Sequence, residues 1–338
     1  MYPLKFKPIL KSIVWGGDKI APYKGIETGQ EHIGESWELS GVPGSESVVA
    51  NGTWAGQSIA RLVATHQGRL VGEHVYAATG DEFPLLVKFI DALSDLSIQV
   101  HPDDALAAAR HNGSKGKTEM WYVVDAEPGA HLFAGLSRAI TPEEYEARVA
   151  DGTITEVLVR HDVKAGDVFF LPAGRIHAIC GGCFIAEIQQ TSDITYRIYD
   201  YGRPGLDGKP RPLHTDLAKE AIDYTVYPSY RTPYTPVKDA AIELVSCPYF
   251  TTSLYDLDRP LNKDLSGLDS FLVVMCLSGR GTLQDAEPVP GADGRPGPTK
   301  GHLTDIRQGE TILIPATSTG LTFTPDGGPL KLLTSHIR

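Results

Sequence analysis

The chain has 338 residues, 41% hydrophobic and 22% charged, which is the make-up of a globular protein and excludes disordered, collagen-like and coiled-coil classes. Its net charge of −11 makes it a poor coat for nucleic acid or an anionic membrane, although a few converging cations could still hold a small anion. No run of about 20 apolar residues suggests a membrane span, and Met1–Pro8 lacks the apolar core of a signal peptide.

Short strand-like runs dominate. In chain order, examples are Leu85–Ile90, Leu96–His101, Met120–Val124, Asp167–Leu171 and Phe184–Ile188, mostly bounded by Gly, Pro, Asp or Asn. Helices are few. One is expected over Ser58–Val71, weakened by Gly68. A second follows Pro102, with two acids in its first turn, and stops by Asn112-Gly113. Thr141-Pro-Glu-Glu144 is a capping box opening a third, and Thr215–Tyr224 is a fourth. Of the four cysteines, Cys180-Gly-Gly-Cys183 has redox or half-zinc-site spacing. It sits between strand-like runs, so it reads as a hairpin turn with reduced thiols, which implies a cytoplasmic protein.

Two stretches resemble each other. Val163–His177 aligns without gaps on Ile306–Gly320, both reading apolar-basic-x-Gly-acid-x, three apolar residues and Pro-Ala. Upstream, Glu119-Met-Trp-Tyr-Val-Val aligns on Asp269-Ser-Phe-Leu-Val-Val. Two copies of one β unit are expected, hence a mainly β fold of two cupin-type jelly-roll barrels with a few inserted helices. Residues 1–240 would form the catalytic domain and 241–338 a degenerate copy, because His177 corresponds to Gly320.

Chemistry therefore belongs in the first copy. Gln99 and His101 lie two apart on a strand and share a face. Glu119 opens another strand, and His177 follows the Pro172-Ala-Gly174 turn. Each alone has a bland reading as a strand, cap or packing residue. Together, two imidazoles, a carboxylate and an amide suit a divalent ion that keeps an open position. The other histidines have no partners at ligand spacing. Lys117, Arg175 and Arg197 flank the cluster and suit a phosphorylated small substrate. Lys209 and Arg211 read as solvated loop charges.

These residues sit in longer blocks: Trp15-Gly-Gly17, Gly34–Ser40, Pro84–Ile90, Leu96–Asp104, Gly116–Tyr122, Gly174–Ala178 and Gln189–Arg197. Taken together the blocks resemble the short bacterial form of the type I mannose-6-phosphate isomerases, over nearly the whole chain. The resemblance implies one zinc ion per chain on Gln99, His101, Glu119 and His177, with Arg197 in the active site. It also implies interconversion of mannose 6-phosphate and fructose 6-phosphate by proton transfer between C1 and C2 through a cis-enediol. Lys117 would bind phosphate or assist proton transfer, and Arg175 would contact substrate. Metal-bound water, Lys117, a histidine and Glu119 all stand as candidate bases. The 17 residues between His101 and Glu119 exceed the ordinary cupin spacing and carry the helix and lysine loop, an insertion the family shares. Two rival classes stand beside this one: an iron-dependent cupin oxygenase, since two His and a carboxylate also make a facial triad, and a non-catalytic sugar-binding module. The expected partner is a sugar phosphate, not nucleic acid or membrane, and the sequence carries no reading of oligomeric state.

Overall fold

The structure is a computed structural model that describes residues 1–290 and 296–338. The strand-like runs form antiparallel sheets. One six-stranded sheet runs in the order Val168–Leu171, Glu119–Ala126, Cys183–Gln190, Leu85–Asp91, Ile33–Ser40, Ile9–Gly17. A five-stranded sheet runs Tyr196–Tyr199, Ile98–Val100, His177–Ile179, His131–Leu136, Leu158–Asp162. Trp121, Phe169, Leu171 and Ile185 of the first pack with Leu132, Ala134 and Ile179 of the second in one core. On the far side of the five-stranded sheet, Ile98, Val100, Ala178 and Ile198 pack with Tyr145 and Ala218 of the helices.

The second half repeats this order strand for strand. Thr311–Ile314, Leu272–Ser278, Leu330–His336, Thr251–Leu257 and Ala241–Ser246 stand as Val168–Leu171, Glu119–Ala126, Cys183–Gln190, Leu85–Asp91 and Ile33–Ser40 do in the first. Leu4–Lys7 and Val48–Val49 extend this C-terminal sheet beyond Thr311–Ile314. The N-terminal strand thus ties the two halves together. Period-2 alternation explains the layering. Along Leu272–Ser278, Leu272, Val274 and Cys276 point into the second half's own core. Val273, Met275 and Leu277 instead join Val87, Phe89, Met120 and Ile188 in a core between the two halves.

The upstream alignment of the repeat is three residues out of register. Leu171 pairs with Glu119, and its counterpart Ile314 pairs with Leu272, not Asp269. Asp269 instead caps a helix. Its carboxylate accepts the backbone N–H groups of Glu73 and His74, at 2.6 and 2.9 Å, at the start of the helix Glu73–Thr79.

The helix at Asp104–Arg110 starts as expected, with the Asp103 side chain accepting from Leu106 N–H, as does Pro142–Asp151 behind Thr141. The expected helix over 58–71 breaks into Ile59–His66 and Gly68–Val71 at Gln67, which has φ +49°. The fourth expected helix stops at Ala221, because Ile222 is extended. Ile20–Lys24 and Glu73–Thr79 are helices the periodicity does not announce. Cys180-Gly-Gly-Cys183 is the turn between His177–Ile179 and Cys183–Gln190, with both thiols buried and unpaired. Among the described residues no helix is long and apolar enough to cross a membrane.

Candidate metal centre

Each member of the cluster is delivered by a strand end or a tight turn. Gln99 is the middle residue of Ile98–Val100, and its register partner is His177, the first residue of the neighbouring strand. His101 follows directly, and Pro102 biases it toward extended backbone. Its carbonyl accepts Gly174 N–H at 2.9 Å, which anchors the turn that leads to His177. Gly174 has φ +87°, and a Cβ there would meet the Ala221 carbonyl at 3.0 Å, so only glycine fits. Glu119 begins its strand opposite Leu171 and Gln189.

The side chains converge. His101 Nε2 lies 3.4 Å from Glu119 Oε2, and His177 Nε2 lies 3.3 Å from Glu119 Oε1. The Gln99 amide sits 3.3 Å from His177 Nε2, and turning it over exchanges its nitrogen for its oxygen without moving the chain. Ligand atoms of His101, Glu119 and His177 all fall within 4.8 Å of one another, and all three residues are buried. His101 Nδ1 sits 2.9 Å from the Ile194 carbonyl and His177 Nδ1 2.8 Å from the Arg175 carbonyl. A carbonyl can only accept, so Nδ1 carries the proton and the Nε2 lone pair faces inward.

This donor set fits a divalent ion. Both Glu119 oxygens are buried without a hydrogen-bond partner. A buried carboxylate left that way is costly unless a charge compensates it. Two inward imidazole lone pairs, that carboxylate and an amide supply nitrogen and oxygen ligands of the kind zinc takes. The electrostatics agree. Burial, then Lys117, pushes His101 down to about 3, and burial lowers His177 against the pull of Glu119. Burial opposes ionisation of Glu119, but the Lys117 ammonium beside it holds its carboxyl well below the usual range.

A cavity of about 300 Å³ opens beside the cluster, with Gln99 and Lys117 in its wall. Lys117 Nζ is 3.2 Å from His101 Nε2 and 3.3 Å from Glu119 Oε2. Arg197 also lines the cavity. It donates to the Pro212 carbonyl at 3.0 Å, while its buried Nε has no partner.

Arg175 is not in the cavity wall. Its guanidinium packs 4.7 and 5.0 Å from the Tyr227 and Tyr230 ring centres and donates to the Phe170 carbonyl. Its contribution to the cluster is a backbone oxygen. Arg211, which reads as a solvated loop charge in the sequence, does line the cavity, held by two 2.7 Å bonds to Asp200.

The wall holds four further charged groups that sequence reasoning missed: Lys88, Glu187, Glu35 and Asp193. Lys88 Nζ lies 2.8 Å from Glu187 Oε2 and 3.6 Å from Glu35 Oε2. Indole N–H groups steady both acids, Trp121 to Glu187 at 2.7 Å and Trp37 to Glu35 at 2.5 Å. Burial and the nearby Glu119 push the Glu187 carboxyl up, against Lys88. A signal existed: Lys88 is the one charge inside the apolar run Leu85–Ile90, and a lysine is almost never fully buried unless paired.

A family model described as phosphomannose isomerase type I, catalytic domain, matches residues 4–129. The chain is 37% identical over 289 residues to mannose-6-phosphate isomerase ManA of Bacillus subtilis, covering 85% of this chain and 89% of that protein. Its fold matches the crystal structure of the mannose 6-phosphate isomerase from Bacillus subtilis with a TM-score of 0.85 at 30% identity, over 100% of both chains. A mannose 6-phosphate isomerase solved with zinc and yttrium has the same fold, with a TM-score of 0.74 at 16% identity over 100% of both chains.

Proposed function

The chain belongs to the type I mannose-6-phosphate isomerase family, and from that premise we propose that the cavity beside His101, Glu119 and His177 is where it interconverts mannose 6-phosphate and fructose 6-phosphate. The reaction is an aldose-ketose isomerisation. A proton moves between C1 and C2 through a cis-enediol, with no net redox change. Membership of this family sets aside the oxygenase and the non-catalytic module.

We assign one zinc ion per chain to Gln99, His101, Glu119 and His177. When bound, the ion supplies positive charge that polarises the sugar's carbonyl and hydroxyl oxygens. The observation that carries this assignment is the pair of buried Glu119 oxygens that accept no hydrogen bond, faced by two imidazole lone pairs, with the Lys117 ammonium beside one of them. Lys117, whose ammonium lies against the cluster, is assigned to a substrate oxygen beside the reacting carbons. Arg197 and Arg211 are assigned to the anionic end of the sugar, since a guanidinium fork suits phosphate oxygens. Glu187 is assigned to carrying the proton. It lines the cavity, Trp121 and Lys88 fix its orientation, and its surroundings move it toward the range where a carboxyl both gives and takes a proton.

Residues 1–240 form the catalytic cupin domain in this reading. Residues 241–338 form a degenerate partner in which leucine and glycine replace two of the ligands. Unpaired Cys180 and Cys183 at one turn support a cytoplasmic location.

Metal content measured alongside a coupled fructose 6-phosphate assay tests the reading. One zinc per chain is expected, with activity lost on chelation and restored by metal. Solvent deuterium appearing in fructose 6-phosphate would report the proton transfer itself. Undiminished isomerase activity in metal-free His177→Ala protein would overturn the assignment.

A further inference from the structure

Lys117 sits in a loop, yet three successive amides around it are fixed. Gly116 N–H donates to Asp104 Oδ1 at 2.8 Å, Lys117 N–H to the Pro102 carbonyl at 3.1 Å, and Thr118 N–H to Gln190 Oε1 at 2.8 Å. Gln190 then turns its own Nε2–H back to Asp104 Oδ1 at 3.0 Å. Both flanks of Lys117 are therefore keyed to one carboxylate. The other oxygen of that carboxylate, Oδ2, accepts the Tyr249 hydroxyl at 2.7 Å. Tyr249 lies 145 residues away, in the turn between Ala241–Ser246 and Thr251–Leu257 of the C-terminal half. Its ring packs against the core between the halves.

We propose that Tyr249 is a positioning residue for Lys117, holding the Gly116–Thr118 segment through Asp104 so that the ammonium stays at the cavity wall. The C-terminal half thereby supplies one polar contact to the active-site loop besides its packing surface. Without the hydroxyl, Asp104 keeps its bonds to Gly116 and Gln190 but is free to turn about its own side-chain torsion. A carboxylate bonded by three donors has one allowed orientation, and one bonded by two on the same oxygen does not. An exposed surface tether would leave this segment indifferent to the far half of the molecule.

The inference rests on the proposed function only for the role of Lys117, and the experiment separates the two. Tyr249→Phe in full-length, zinc-loaded protein keeps the ring and removes the hydroxyl. Amide hydrogen exchange at residues 116–118 should speed up roughly tenfold while the Thr251–Leu257 strand keeps its protection. Zinc content should stay unchanged and kcat/KM should fall roughly tenfold, as misplacement of a catalytic group predicts. In a Lys117→Met background the same Tyr249→Phe change should cost nothing further, because the group it positions is gone. Unchanged exchange at 116–118 overturns the proposal, and so does a multiplicative loss in the double variant. Should Tyr249→Phe fail to fold, Asp104→Asn makes the same test with the same expected exchange. Exchange reads the segment without substrate, so a wild-type chain lacking isomerase activity would overturn the functional reading and leave this one testable.

Discussion

Glu119 and Leu272 hold equivalent places in the two β halves. Leu171 pairs with one as Ile314 pairs with the other, in the same position of the same strand order. One half carries a buried carboxylate facing two imidazoles. The other packs Leu272 with Val274, Ile314, Leu321 and Phe323 into an apolar core. The frame is therefore stable without the ligand set. Glu119→Gln or His177→Ala should lose zinc and at least about a thousandfold in kcat together, since the ligands act as a unit. Thermal unfolding of either metal-free variant should match that of the metal-free parent. A variant that keeps its zinc and loses activity would show that the residue acts other than as a ligand.

Arg175 and Arg211 exchange the positions that their sequence neighbourhoods suggest, Arg211 lining the cavity and Arg175 lying outside it. Arg175→Ala removes a guanidinium that lies on two tyrosines outside the cavity and leaves the backbone oxygen that orients His177. KM for fructose 6-phosphate should stay within about twofold, and stability should fall by about 1 kcal/mol through the lost stacking. Arg211→Ala should raise KM roughly tenfold with a smaller change in kcat, as loss of uniform binding requires. Steady-state kinetics of the two variants decide the matter, and a KM effect in Arg175→Ala alone would reverse the placement.

The meeting of Gln99, His101, Glu119 and His177 was legible because its signals are local. Gln99 and His101 are two apart on a strand, and His177 follows a glycine turn that only one residue type fits. The strand duplication was legible for the same reason. What escaped depends on contacts between distant segments. The offset of three residues at Asp269 arises because that carboxylate caps a helix nearly 200 residues earlier, which no pattern within Asp269–Val274 reveals. Arg211 is drawn to the cavity by Asp200 across a loop of turns, so its composition looks like that of any solvated segment. Arg175 has the spacing of a site residue, but Tyr227 and Tyr230 claim its side chain from 52 and 55 positions downstream. The break at Gln67 is a single left-handed residue, φ +49°, inside a run whose pattern still reads as helical.

Lys88 and Glu187 form a buried ion pair at 2.8 Å, both about 4% exposed or less. The pair is cross-strand, register partner to register partner. Lys88→Met leaves Glu187 with its charge and one indole donor. It should cost about 3–5 kcal/mol in urea unfolding, the usual penalty for stranding one member of such a pair. Adding Glu187→Leu should recover most of that stability but no activity, since it removes the group assigned to the proton. Recovery of activity with stability would exclude Glu187 from proton transfer, and failure to recover stability would show that the pair is not energetically coupled.

Asp91 gives the fold a pH dependence of its own. It is 2% exposed and ends the strand Leu85–Asp91, where it accepts Lys19 N–H at 2.7 Å. Burial pushes its carboxyl up to about 6, against that hydrogen bond and Lys19, whereas an unfolded aspartate titrates near 3.9. Between these values the folded chain holds a proton that the unfolded chain has released. By linkage, stability from this group is complete below the unfolded value and is lost as pH rises through about 6. Asp91→Asn keeps an acceptor for Lys19 N–H and removes the titration. The substituted protein should equal the parent near pH 4, within about 0.5 kcal/mol, and exceed it by about 3 kcal/mol at pH 8. Urea unfolding of the pair at those two pH values makes the comparison. A constant difference at both would show that Asp91 stays ionised in the fold, its charge answered by Lys19.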